Sequence, residues 1–95
     1  MDYLIHISEI FQGRNYPDAG DLLYSILKDN IDKQDRIILD FKGVTLVPSM
    51  FLNTSIGKII GERGTGILRQ KLAFSNIPIS QISHIREYVQ RFESR

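Results

Sequence analysis

Cysteine and tryptophan are both absent from this chain of 95 residues. Without thiols there is no disulfide and no thiolate-held metal, and the composition fits a reducing compartment. An excess of one charge is missing as well: 12 Lys and Arg stand against 11 Asp and Glu, a formal net charge of +1. A nucleic-acid binder neutralises a run of phosphates with clustered cations, so that class of partner is not expected. No apolar stretch approaches the roughly 18 residues that would span a bilayer, and the start MDYLIHISEIF has an acid where a secretory leader is basic. These absences predict a cytoplasmic protein without membrane contact.

What is present suffices for one core. Hydrophobic residues make up 42% and charged residues 24%, the balance of a folded soluble chain, and the length suits a single domain over residues 1–95. A chain of this size hides roughly 60–65% of its unfolded surface, too little for two independent cores.

Alternation over residues 2–11 sets Tyr3, Ile5 and Ile7 on one side of a strand and Leu4, His6 and Ser8 on the other. His6 has no carboxylate or second histidine at ligand spacing and reads as structural. Gly13, Asn15 and Pro17 then interrupt the pattern, and a helix is expected from Pro17 or Asp18, with Ala19, Leu22, Leu23, Ile26 and Leu27 at helical spacing. Gly20 weakens its first turn. Arg14, in the loop ahead, is a candidate anion-binding residue, because a guanidinium there can receive a carboxylate or a phosphate.

The run RIILDF at residues 36–41 is apolar without alternation, which predicts a central parallel strand buried on both faces. Asp40 ends it and is expected to anchor the next loop together with Gly43, accepting from the N–H of Gly43 or Val44. Pro48 stops sheet pairing, and Ser49 is suited to N-cap a helix whose Leu52, Ile56, Ile59 and Ile60 form one apolar stripe. A second stripe, Ser49, Asn53, Gly57 and Gly61, has almost no bulk. Its two glycines each cost about 1 kcal/mol of helix stability, which predicts close approach by a neighbouring helix or by a partner. Residues 67–74 read as a last strand near a sheet edge, followed by a helix capped by Ser80 with Ile82, Ile85, Val89 and Phe92 inward.

No nucleophile with a base, no paired acids and no metal-ligand set is visible, so neither catalysis nor a metal nor a cofactor is expected. The glycines of ERGTG precede a strand pattern and lack a following Lys-Ser or Lys-Thr, which excludes a nucleotide P-loop.

The segment LDFKGVTLVPSMFLNTSIGKI resembles the STAS domain of bacterial anti-sigma-factor antagonists, and in particular the STAS-like family of unknown function, where Asp-Phe-x-Gly-Val precedes a Ser-x-Phe-Leu helix start. The resemblance implies an α/β fold with a mixed sheet of about four strands and three helices. It also implies a non-catalytic regulatory module that binds a histidine-kinase-like ATPase or an anti-sigma-type kinase through the helix at Ser49, as a monomer or weak homodimer. On that pattern Pro48, Ser49, Met50, Asn53, Gly57, Lys58 and Gly61 form the partner surface. Antagonists of this type are phosphorylated at the position Met50 occupies, with Pro48 in place of their Asp and Phe51 in place of their Gly. Met50 cannot be phosphorylated, which leaves Ser49 as the candidate regulatory phosphosite. The alternative is a sensor that holds a small anion or nucleotide between Arg14 and Ser49 at the helix start.

Overall fold

The computed structural model describes residues 2–93. In order, β1 (Asp2–His6) leads into α1 (Ile7–Phe11) and α2 (Tyr16–Asn30), and β2 (Arg36–Asp40) follows. Then come α3 (Ser49–Thr54), α4 (Ile56–Arg63), α5 (Gly66–Gln70), β3 (Leu72–Ser75) and α6 (Ile79–Glu93). The sheet has three strands in the order β1-β2-β3, and both pairings are parallel. The expected mixed sheet of four strands with three helices is thereby corrected to an all-parallel sheet with more helical segments, among the described residues.

Each difference has a local cause. β1 stops at His6 because its register with β2 ends at the His6↔Asp40 pair. Beyond it Ile7 and Ile10 are buried and Phe11 partly so, a spacing that one helical turn turns inward and an alternating strand cannot. Residues 67 and 68 fail as strand for a similar reason: adjacent Ile67 and Leu68 are both buried, and α5 allows this while β3 keeps only the four residues that β2 can pair. α2 begins one residue earlier than expected because Asn15 caps it, its Oδ1 accepting from the Asp18 N–H at 2.8 Å.

The expected single helix from Ser49 breaks at Ser55 (φ −121°, ψ −88°). The Phe51 carbonyl, which would accept from the Ser55 N–H, accepts instead from the hydroxyls of Thr54 (3.2 Å) and Ser55 (2.7 Å). The apolar stripe survives the break: Phe51, Leu52, Ile56, Ile59 and Ile60 are all buried. Gly20 turns out to serve packing rather than merely to weaken α2. A Cβ there would meet the Thr54 side chain and the Phe51 carbonyl oxygen, so only hydrogen lets α2 and α3 cross this closely.

The strand order advances in one direction, and two crossovers of the same hand then lay their helices on the same face of the sheet. Ile5, Ile37, Leu39 and Leu72 occupy that covered face and are buried. Leu4, Ile38 and Ala73, abreast on the other face, keep contact with solvent. The expectation of a central strand buried on both faces is corrected accordingly. Among the described residues no helix is long and apolar enough to cross a membrane.

Candidate functional site

In a parallel sheet the carboxyl ends of all strands lie at one edge, where α/β folds build their sites. Here the register sets His6, Asp40 and Ser75 abreast. Asp40 is buried, and its Oδ1 accepts from the Lys42 N–H (3.0 Å) and from Asn76 Nδ2 (2.9 Å). Its Oδ2 lies 3.4 Å from His6 Nδ1. The Asn76 amide, then the Lys42 N–H, hold its carboxyl below the ordinary aspartate range, with a smaller contribution from His6 and against the opposing effect of burial. The donors expected for Asp40, the N–H of Gly43 or Val44, are replaced by the Lys42 N–H, and the Val44 N–H donates instead to the Phe41 carbonyl at 2.9 Å. Gly43 stands at φ +83°, a conformation the turn needs and side chains disfavour.

From this turn the chain runs to α3. Val47 is buried, and its N–H donates to Gln81 Oε1 of α6 at 3.1 Å. Pro48, not Ser49, holds the N-cap position; its carbonyl accepts from the N–H groups of Phe51 and Leu52. Ser49 is therefore the first helical residue and exposed, without a side-chain cap bond. Ser80 likewise lies inside α6, where the Pro78 carbonyl takes the Gln81 N–H.

Several large apolar residues that stand within three positions of Val47 or Gln81 have their surfaces in water. Leu46 is 51% exposed, Met50 55% and Ile79 90%, and Ile82 is exposed too. Exposed apolar residues are ordinary singly, and their concentration in the two segments that this bond joins marks the turn ahead of α3 as a candidate contact surface.

The low-bulk stripe divides in two. Asn53 Oδ1 accepts from the Tyr88 hydroxyl (2.7 Å), and a Cβ on Gly57 would collide with that same hydroxyl. Its middle is thus filled from within, by α6. A Cβ on Gly61 would meet nothing within 4 Å, so this glycine faces open space. Lys58 is engaged with α2: its Nζ lies 4.3 Å from the centroid of the Tyr24 ring, whose hydroxyl donates to the Glu62 carboxylate. That hydrogen bond to Glu62 is the main cause of the raised Tyr24 pKa.

Arg14 and Ser49, the expected anion pair, are not joined by any hydrogen bond among the described residues. Arg14 Nη1 donates to the carbonyls of Ile10 and Gln12 (3.3 Å each), which folds the guanidinium onto its own loop. No group of three or more metal-ligating side chains occurs among the described residues.

Two residues that matter here were not singled out by the sequence patterns. Asn76 adopts φ +55° and holds Asp40; its signal was an Asn directly after a strand, a residue type that tolerates this conformation. Tyr88, 4% exposed, lies three positions beyond Ile85, so helical spacing alone would have found it.

A three-stranded parallel sheet with its helices on one face makes this a small α/β domain. The chain belongs to the family described as the STAS-like domain of unknown function (DUF4325), whose model matches residues 19–78, well over half its length. No curated protein and no solved structure shows significant similarity to it.

Proposed function

We propose that this domain is a non-catalytic regulatory module that docks a histidine-kinase-like ATPase or anti-sigma-type kinase with the turn and helix start at Leu46 to Met50. What supports this reading is the exposure of Leu46, Met50 and Ile79, which lie in the two segments that the Val47–Gln81 bond joins. Burying such side chains against a partner yields about 25 cal/mol per Å² of apolar surface. Ser49 lies within this surface and is exposed, so a phosphate there would place roughly −2 charge amid apolar contacts and repel the partner. The remote part of the expected surface contributes less, because Asn53 and Gly57 are already engaged by Tyr88 and Lys58 by Tyr24.

The test is calorimetric titration of the purified domain with a histidine-kinase-like ATPase of the anti-sigma type. Met50→Glu and Leu46→Glu should each abolish binding, and Ser49→Asp should weaken it. Binding that is indifferent to Met50→Glu would overturn the reading.

A further inference from the structure

β1 borders the sheet, and its outer side is open among the described residues. The N–H groups of Ile37 and Phe41 donate to the carbonyls of Lys71 and Ser75, toward β3. Backbone groups of successive strand residues point to opposite sides, so Ile38 and its even-numbered neighbours serve β1. With Leu4 abreast of Ile38, the residues of β1 that bond to β2 are Tyr3 and Ile5. The N–H groups of Asp2, Leu4 and His6 and the carbonyls of Asp2 and Leu4 therefore point away from the sheet, while the His6 carbonyl, at the N-cap of α1, opens that helix.

Native proteins normally blunt such an edge with charge, proline or a covering segment. Here four of the five residues of β1 are exposed, Leu4 by 50%, whereas Ala73, Phe74 and Ser75 on the other border are half-buried. A groove of about 270 Å³ runs beside β1, lined by Tyr3, Leu4 and His6 on one side and by Leu22 and Ile26 of α2 on the other.

We propose that β1 is the two-fold interface of a homodimer, pairing antiparallel with β1 of a second copy to join the two sheets into one. A second copy is the occupant because the strand is complementary to itself. Centred on Leu4 opposite the partner subunit's Leu4, the pairing sets all the outward residues in hydrogen-bonded positions. It places Asp2 opposite the partner subunit's His6 at both ends, acid against base. On the other face Tyr3 meets the partner subunit's Ile5, an aromatic and β-branched pair of the kind that stabilises sheets. Asp2 has no ion-pair partner within its own chain among the described residues, and His6 offers Nε2 while its Nδ1 faces Asp40. Any shifted register loses both the charge match and part of the ladder. This edge shares no residue with the apolar patch at Leu46 and Met50, so the two surfaces can be tested separately.

Sedimentation equilibrium from micromolar to near-millimolar concentration should show wild-type protein passing from monomer to dimer. Leu4→Lys sets two lysines directly opposite each other, and Leu4→Pro removes an outward donor while sparing the bonds to β2; both should lose the dimer. Asp2→Lys should weaken Kd about tenfold, since two symmetry-related pairs are lost together. Hydrogen exchange on the wild type is independent of whether a variant folds. The amides of Leu4 and His6 should gain protection as concentration rises, while those of Tyr3 and Ile5 stay unchanged. A wild type that is monomeric throughout, a dimer that survives Leu4→Lys in a folded protein, or edge amides indifferent to concentration overturns the proposal. An unchanged Kd for Asp2→Lys overturns the self-complementary register on which the choice of partner rests.

Discussion

Replacing Gly20 by Ala tests the packing of α2 on α3 with the smallest possible perturbation. Inside a helix Ala is favoured over Gly by about 1 kcal/mol, so propensity alone predicts a more stable protein. The crossing opposes it. The added Cβ would sit 2.9 Å from the Phe51 carbonyl oxygen and against the Thr54 side chain, closer than carbon normally approaches either. The carbonyl belongs to the backbone of α3 and cannot rotate aside, so the helices must separate. Overpacking of this kind costs about 1–3 kcal/mol, which outweighs the propensity gain and leaves a net loss of up to about 2 kcal/mol. Thermal melts followed by circular dichroism should then show Gly20→Ala lowered by about 4–8 °C for each kcal/mol lost. Gly61→Ala is the control, because its Cβ would meet nothing within 4 Å. That variant keeps only the propensity gain and should melt higher than wild type. Adding Thr54→Ala to Gly20→Ala should recover part of the loss, since it removes the Thr54 hydroxyl, the nearest obstacle, and leaves the Cβ of residue 54 at 2.8 Å and the Phe51 carbonyl in place. If Gly20→Ala melted as high as Gly61→Ala, the close crossing of α2 and α3 would be refuted.

Two further predictions concern the strand-end cluster. The carboxyl of Asp40 titrates below its ordinary value in the folded state, so the unfolded chain binds its proton first as pH falls. Stability from this group is thus present above the ordinary aspartate pKa and lost as pH drops through the folded one; urea midpoints between pH 7 and 2 should fall less steeply in Asp40→Asn. Asn76 combines a bond to Asp40 with φ +55°. Gly keeps the conformation and Ala does not, so Asn76→Ala should be less stable than Asn76→Gly by roughly 1 kcal/mol in denaturant titrations.

The parts of this fold that were legible in the sequence are those where burial and periodicity agree. RIILD had no competing pattern and forms β2, and the stripe Leu52, Ile56, Ile59 and Ile60 is buried as its spacing requires. Misreadings fall where short apolar runs satisfy two periods at once. Residues 7–11 and 66–70 continue an alternation but pack as single helical turns, and only the register of β2, a property of the assembled sheet, limits how far β1 and β3 extend. The break at Ser55 escaped because hydroxyls of adjacent Thr54 and Ser55 compete for one carbonyl, which helical spacing does not reveal. Of the candidate site, the position of Ser49 and Met50 at an exposed helix start was readable. The exposure of Ile79 beside that turn was not, because the docking of α6, through Gln81 to Val47 and Tyr88 to Asn53, joins residues 34 and 35 positions apart. Burial of β2 on both faces was inferred from apolar content alone, while the direction of strand order leaves Ile38 half-exposed.

That strand order also bears on how the chain reaches its native state. Asp2 meets Arg36 and Ile37 meets Leu72, pairs 34 and 35 positions apart, and no hairpin shortens either connection. No part of the sheet can zip from a local turn. Each ladder must wait for its intervening helices to collapse, and loop-closure entropy is spent before any strand bond forms. α2 docked on α3 through Gly20 brings the two crossovers together. That helix pair is thus the contact that ties the two long connections to each other, and with them the three strands they join.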